Sequence, residues 1–534
     1  MPRSSNPASM LRSGGALSLL TLLSRVLGLL REITKAAFLG TSALSDAFSV
    51  AFLVPNLFRR LFAEGSIAVA FIPTLKQYLV EDDRAKIREF VSCVFTFLTF
   101  FVSLVVVAGI VLCPLLIRLF GMEIDKTPLF DVTSVFDETV FLTRIMFPFL
   151  AFISVAALFQ GILNSIHIFA PSGLAPILLN IVTIGCAYVL SPFTQNPARA
   201  MAIGIVIGGF LEAAIQFPFV WKHGFRFCAV GIRRAITNPG TGAVLRLIGP
   251  TIIGMAAYQL NDLTCTALAG QAGEGIVSSL QYSLRLQELI LGVFAVSIGT
   301  VLLPNLAEYA KSLRWKEYNE RLSQAMDIVA LIAIPVTFFF LAQGDKIIRL
   351  LFQTRSFDEN SVALTYAAFL FHVPGLFFIA LNRVLAPAFY AKSDSKSPTL
   401  AGVLSFGINI VLALVLARTM KGSGIALALT ISSAVNTALL LFFPGRQPIA
   451  AGRSLLARAG YAVKLLVFSV IAALPVLFTN TFFNSWNLSG GRIIRVGLPL
   501  ALQALLFAAT GICLLLVTGD KHLKALRRMV AKKR

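Results

Sequence analysis

The stretch Phe90–Leu116, FVSCVFTFLTFFVSLVVVAGIVLCPLL, runs for 27 residues without one charged side chain. A helix of about 20 apolar residues crosses the hydrocarbon core of a bilayer, so this run is long enough to span it. Similar runs recur at Ala202–Trp221, around Ile328–Leu341 and at Leu498–Val517. Across all 534 residues, 57% are hydrophobic and 13% are charged. Soluble domains carry about a quarter charged residues, and a water-soluble fold has no way to bury this much apolar surface. The fold class that follows is an all-α integral membrane protein.

Run length and polar breaks divide the chain into about fourteen spans, at 15–38, 44–63, 88–117, 136–164, 171–190, 200–221, 245–269, 276–304, 320–343, 361–390, 398–417, 423–443, 460–480 and 495–517. The first contains Arg25 and Arg31 and lacks a small-residue cleavage site, so it reads as a true first helix and not a signal peptide.

The net charge of +21 would suggest nucleic acid in a soluble protein. Here most Lys and Arg fall in the amino-terminal segment, the even-numbered loops and the tail Lys521–Arg534, which holds seven of them. Cytoplasmic loops carry such an excess, so both termini are expected in the cytoplasm, with no nucleic-acid partner. The acidic cluster Glu123, Asp125, Asp131, Asp137 and Glu138 then falls outside. The basic tail is expected to serve orientation and contact with membrane lipids.

A repeat is visible. Phe71-Ile-Pro-Thr-Leu-Lys-Gln-Tyr78 resembles Leu302-Leu-Pro-Asn-Leu-Ala-Glu-Tyr309 at an offset of 231, and Asn180-Ile-Val182 recurs as Asn409-Ile-Val411 at 229. Pro171 and Pro398, 227 apart, each open a span. Six spans fit one offset, giving two six-helix lobes in parallel topology, a pattern of secondary transporters. The expected divisions are 1–225 for spans 1–6, 226–444 for spans 7–12, and 445–534 for spans 13 and 14 with the tail.

Charges inside spans carry the chemistry, because each Arg at mid-membrane costs about 2.5–3.5 kcal/mol on the insertion scale. Span 1 holds Arg25, Arg31, Glu32 and Lys35; span 2 holds Asp46, Arg59 and Arg60, with Glu64 at its end; span 8 holds Arg285 and Glu288. Arg25, Arg31, Arg59 and Arg285 are expected to line one cationic cavity. A guanidinium binds phosphate oxygens bidentately and stays charged at any working pH, so a diphosphate fits. The competing structural reading pairs Arg60 with Glu64 and Arg285 with Glu288 along their own helices. Gly28, Gly254 and Pro387 lie inside spans as candidate hinges or close-packing points. The six cysteines are scattered without a CxxC pair, so neither disulfides nor a metal site is expected. No GxxxxGK[ST], HExxH or GxSxG motif is present. No catalytic residue and no cofactor is therefore assigned, and energy is expected from a gradient, the membrane potential or a partner.

Ser24-Arg-Val-Leu-Gly28 followed by Arg31-Glu32, then Asp46-Ala-Phe, Pro55-Asn-Leu-Phe-Arg-Arg-Leu-Phe-Ala-Glu-Gly65 and Ala70-Phe-Ile-Pro73, resemble the MurJ (MviN) lipid II flippase family. Further matches are Gly249-Pro250, Gln259, Arg285, Gly299-Thr-Val-Leu-Leu-Pro304, Leu351-Phe-Gln353 and Leu385-Ala-Pro-Ala-Phe-Tyr-Ala391. The resemblance runs through nearly the whole chain in order. It implies the MOP transporter superfamily and movement of lipid II from the inner to the outer leaflet of the bacterial inner membrane by alternating access, for peptidoglycan synthesis and so cell-wall biogenesis and cell shape. It places the family's cavity arginines on Arg25, Arg31, Arg59 and Arg285, and gate or cavity polar residues on Asp46, Asn56, Glu64 and Glu288. Cell-wall synthesis proteins enter as candidate partners. Leu284 stands where the family often has an acid. Asp262 and Asn409 are candidates for a coupling-ion site, although Ala413 replaces the Asp expected there. The alternative reading is another MOP-type carrier, either a polysaccharide-lipid flippase or a cation-coupled exporter; an exporter calls for an acidic cavity, against the charge pattern here.

Overall fold

The computed structural model describes residues 7–61, 66–119, 128–130, 133–442, 453–484, 486 and 490–521. The chain divides into two compact units, Met1–Ser278 and Ser279–Arg534. The first holds α1 (Pro7–Leu39), α2 (Ala43–Arg59), α3 (Ser66–Glu81), α4 (Arg84–Leu119), α5 (Val135–Met146), α6 (Pro148–Ser165), α7 (Ala170–Leu190), α8 (Pro197–Lys222), α9 (Ile232–Thr237), α10 (Pro239–Ala272) and the first turn of α11 (Ile276–Lys311). The second holds the rest of α11, then α12 (Trp315–Phe352), α13 (Glu359–His372), α14 (Gly375–Ala391), α15 (Lys396–Phe442), α16 (Arg453–Asn484) and α17 (Leu498–Val517). A hairpin of two short strands, β1 (Pro128–Phe130) and β2 (Thr133–Ser134), precedes α5.

Helix starts follow from capping chemistry. Ser42, Ser134, Asn196, Asn238 and Asp358 each accept a backbone N–H of the first turn they precede, satisfying a donor the helix leaves open. Proline stands in the first turn of α8 and α10, where no N–H is needed.

Among the described residues, each of the fourteen expected stretches falls largely on helix. Among the described residues, eight helical segments are long and apolar enough to cross a membrane, or nine if α13 and α14, bent by 47°, form one span. Fourteen is not reached by this measure. Backbone satisfied within each helix and apolar sides left exposed, as at Val111, Val189 and Phe478, are what lipid demands. The chain is a multi-pass membrane protein.

The architecture differs from expectation in particular places. Residues 66–81 were read as loop and form α3, whose Phe71 and Leu75 join Phe90, Phe159, Ile162 and Val220 in a buried cluster of the first unit. Span 4 holds as one span, Val135–Ser165: α5 and α6 meet at Phe147, whose backbone stays helical, and Pro148 lacks only the N–H of one helical bond; a Cβ on Gly109 of α4 would lie 2.1 Å from the Phe147 ring. Spans 11 and 12 meet within α15 at a single non-helical residue, Lys421. The closeness of that reversal explains Gly424, whose absent Cβ would sit 2.3 Å from the Leu416 carbonyl oxygen. The helix of span 7, α10, packs on α3, α2 and α4 and clusters with the first unit. Helices α16 and α17 pack on α12 and belong to the second unit. Of the acidic cluster, Glu123, Asp125 and Asp131 lie outside the described residues. Glu138 is buried, and both its oxygens accept from Arg199, at 2.9 and 2.6 Å, tying α5 to α8.

Candidate functional site

Residues 25–60 carry five cations (Arg25, Arg31, Lys35, Arg59 and Arg60) against two acids, Glu32 and Asp46. Two helices joined by a short turn display all of them. What each touches decides how much positive charge is left for a ligand.

Arg25 is partly buried on α1, and among the described residues it forms no hydrogen bond or ion pair. The backbone beside it is held: Asn180 of α7, one of the residues singled out by the repeat, donates Nδ2 to the Ser24 carbonyl at 3.3 Å. Arg31 donates Nη2 to Glu32 Oε1 at 3.0 Å, a pair between chain neighbours that leaves its guanidinium 18% exposed. Arg59 donates Nε to Oδ1 of Asn56 at 2.8 Å. That partner is neutral, so it orients the guanidinium without cancelling its charge. Asn56 is thereby assigned a positioning part that the sequence could only suggest.

Arg60 reaches Oδ2 of Asp262 on α10 at 3.5 Å, with both side chains about a third exposed. The sequence expected Glu64 as its partner; Glu64 lies outside the described residues. The same contact bears on the candidate ion site. Asp262 faces Arg60 in the first unit, while Asn409 Oδ1 accepts from Ser432 Oγ at 3.4 Å in the second. Among the described residues no group of three or more His, Cys, Asp or Glu is placed to hold a metal.

Lys35 is 4% exposed and donates Nζ to Ser49 Oγ at 2.6 Å, with the Phe48 ring 5.8 Å away. It pins α1 to α2. Its one signal in the sequence was a fourth charge in span 1, four residues after Arg31 and therefore on the same helix face.

Asp46 has a different job from the arginines. It is fully buried, and its two oxygens accept backbone N–H bonds from Gly275 and Ser278, each at 2.7 Å. These are donors at the start of α11, whose unpaired N–H groups and dipole favour a negative charge. Glu274 returns the contact, accepting the Ala43 N–H at the start of α2 at 3.0 Å. Two helix starts thus cap one another. Gly275 makes the approach feasible: its φ is +75°, and a Cβ would lie 2.4 Å from the Thr41 carbonyl oxygen. Glu274 was not picked out from sequence, though a Glu-Gly immediately before a helix is a legible cue.

In the second unit, Arg285 donates Nη1 to Glu288 Oε2 at 3.0 Å, three residues along α11. This is the intrahelical pair that the structural reading foresaw. Glu288 remains 57% exposed, so the pairing is loose.

Comparison with known proteins follows the same lines. A family profile described as lipid II flippase MurJ matches residues 35–494. A probable lipid II flippase MurJ from Treponema pallidum is 44% identical over 529 residues, covering 97% of this chain and 98% of that protein. The lipid II flippase MurJ of Burkholderia cenocepacia is 32% identical over 432 residues, covering 80% and 82% of the two chains. Among solved structures, a lipid II flippase MurJ in an inward closed conformation superposes with a TM-score of 0.77 at 22% identity, covering 95% of this chain and 99% of that one. An inward-facing multidrug resistance MATE transporter of the MOP superfamily gives 0.65 at 12% identity, covering 78% and 93%. The structural likenesses show a shared fold.

Proposed function

Since the chain belongs to the lipid II flippase MurJ family, we propose that it carries lipid II from the inner to the outer leaflet of the bacterial cytoplasmic membrane for peptidoglycan synthesis, with Arg25, Arg31, Arg59 and Arg285 binding the diphosphate and sugar oxygens. The observation that carries the arginine assignment is Arg25, a partly buried cation on α1 that forms no hydrogen bond or ion pair among the described residues; on α2 the Asn56 carboxamide orients Arg59 at Nε. Held at membrane depth, such cations attract an anion more strongly than in water. A substrate bearing two phosphates supplies it.

The reciprocal cap of Asp46 and Glu274 would serve as a latch. It is made of backbone donors and carboxylates, groups that water can replace once the helix starts separate, so it favours one state without locking it. A ligand that binds one state better shifts the balance by the difference in its affinities, and the diphosphate would supply that difference. Alternating access with the membrane potential as energy source, rather than a bound ion, accords with Asp262 facing Arg60. The charge bias puts both termini in the cytoplasm. The exposed apolar faces of α16 and α17, including Phe478 and Leu505, suit the polyprenyl tail.

Reconstitution tests this. Vesicles holding the chain and lipid II, with the potential clamped, should expose lipid II in the opposite leaflet at a rate that the Arg25→Ala and Arg59→Ala variants lose. Equal rates for wild type, both variants and protein-free vesicles would remove the proposal.

A further inference from the structure

A second polar cluster lies in the second unit, in a place that transport through the arginines does not use. Lys346 of α12 donates Nζ to Asn480 Oδ1 of α16 at 2.9 Å and to Gln503 Oε1 of α17 at 3.4 Å. Gln343 Nε2 reaches the same Asn480 oxygen at 3.0 Å, and Gln503 Nε2 reaches it at 2.7 Å. Three donors, one of them a full cation, converge on one amide oxygen that has two lone pairs. Meanwhile Gln343 Oε1 is buried and accepts nothing. Gln343 and Gln503 are 1% and 0% exposed, whereas Lys346 is only partly buried and can be reached.

Among the described residues no carboxylate pairs directly with Lys346: the adjacent Asp345 is engaged by Arg349 at 2.7 Å, with Glu359 on the other side of that guanidinium at 2.6 Å. Depth is the next constraint. Lys346 lies six residues before the end of α12, Asn480 four before the end of α16 and Gln503 five after the start of α17. At 1.5 Å per residue these are about 9, 6 and 8 Å from the respective helix ends, which is one level. Phe482, Phe483 and Trp486 meet edge to face beside that level with ring centroids 4.9–5.6 Å apart, the kind of aromatic belt that marks a membrane–water boundary. A lysine here would ordinarily extend to water; this one is turned in among three helices.

We infer that Lys346, Gln343, Asn480 and Gln503 form a niche for the phosphodiester of a hydroxyl-bearing anionic phospholipid headgroup, with Asn480 Oδ1 standing in for a phosphate oxygen when no lipid is bound. The convergent donors match the phosphate. The orphan Gln343 oxygen matches a headgroup hydroxyl. The inference is independent of the arginines on α1 and α2.

Native mass spectrometry of the full-length protein in detergent, titrated with phosphatidylglycerol and with phosphatidylcholine, tests it. Phosphatidylglycerol should bind at least about tenfold tighter than phosphatidylcholine, which lacks the hydroxyls. Lys346→Gln should weaken phosphatidylglycerol about tenfold, and Lys346→Arg should restore it. Asn480→Ala is the discriminating variant: removing the internal competitor should tighten binding several-fold, whereas a mere fastener between helices would lose melting temperature and leave lipid binding unchanged. That second pattern, or wild-type affinity in Lys346→Gln, overturns the inference. Displacement of the lipid by millimolar inorganic phosphate would uphold the anion niche and assign it to the free ion.

Discussion

Helices α2 and α3 in one copy of the sequence repeat correspond to helix α11 in the other, yet their charges are partnered differently. The copy Phe71–Tyr78 lies in α3; the copy Leu302–Tyr309 lies near the end of α11, a single helix of 36 residues. In the first copy, charges on and beside α2 reach across elements: Asp46 to the start of α11 and Arg60 to α10. In the second, Arg285 pairs with Glu288 on its own helix. An intrahelical pair survives any rigid movement of its helix, while a pair between elements is made or broken by movement. The first copy is therefore the one equipped to register a change of state.

The sharpest way to break this comparison is at Asp46. Asp46→Ala removes two bonds to a charged acceptor, worth about 1.5–3 kcal/mol each, and leaves two buried N–H groups unpaired. The largest fall in melting temperature of the set is expected, together with loss of growth in a strain depending on this chain. Asp46→Asn should fall between, because it keeps an acceptor oxygen but not the charge facing the helix start. If Asp46→Ala melts like wild type, the latch does not exist.

Next come the arginines of α1 and α2. Arg25→Ala and Arg59→Ala should each slow lipid II flipping by about 10- to 100-fold, the value of one charge-assisted interaction lost on binding. Arg25→Ala should hardly change melting, since among the described residues Arg25 has no partner that its loss would orphan. A fall in stability with flipping intact would reverse the assignment and make these residues structural. A smaller effect is expected at Asp262. With both partners about a third exposed, the Arg60–Asp262 pair should be worth about 0.2–1 kcal/mol. A double-mutant cycle with Arg60→Gln and Asp262→Asn measures it, and zero coupling would mean that the two elements are not tied there.

How much of this could be read from the chain varies with distance along it. Phe90–Leu116 had one reading, because nothing but a bilayer accommodates such a run, and the local pair Arg285–Glu288 was foreseen from its spacing of three. Arg60 and Asp262 are 202 residues apart, so no local pattern could join them, and a nearer acid, Glu64, drew the expectation instead. The bend of 47° at Val373–Pro374 is not legible in hydrophobicity, which continues smoothly through it, although Pro374 is its cue. Helix α3 was missed for the opposite reason: it is too polar at Lys76, Gln77 and Glu81 to read as a span, and its apolar face is covered by neighbours that only the fold supplies. The arginine set was legible as a charge excess, but which of its members remain uncancelled is a tertiary fact.

The mildest substitution sharpens the comparison most, because it separates the arginine from its partner. Glu288 is 57% exposed and lies three residues from Arg285 on one helix, so the pair contributes about 0.3–0.5 kcal/mol and Glu288→Ala should leave melting almost unmoved. Its effect on flipping should be small and of a definite sign. A carboxylate beside Arg285 competes with a phosphate for the same donors, so its removal should leave the flipping rate equal to wild type or slightly above it. Arg285→Ala should slow flipping, since it deletes the cation itself. Should Glu288→Ala instead abolish flipping as Arg285→Ala does, the two would act as one unit. The second repeat copy would then be as engaged in the transport cycle as the first, and the distinction between the two would fail.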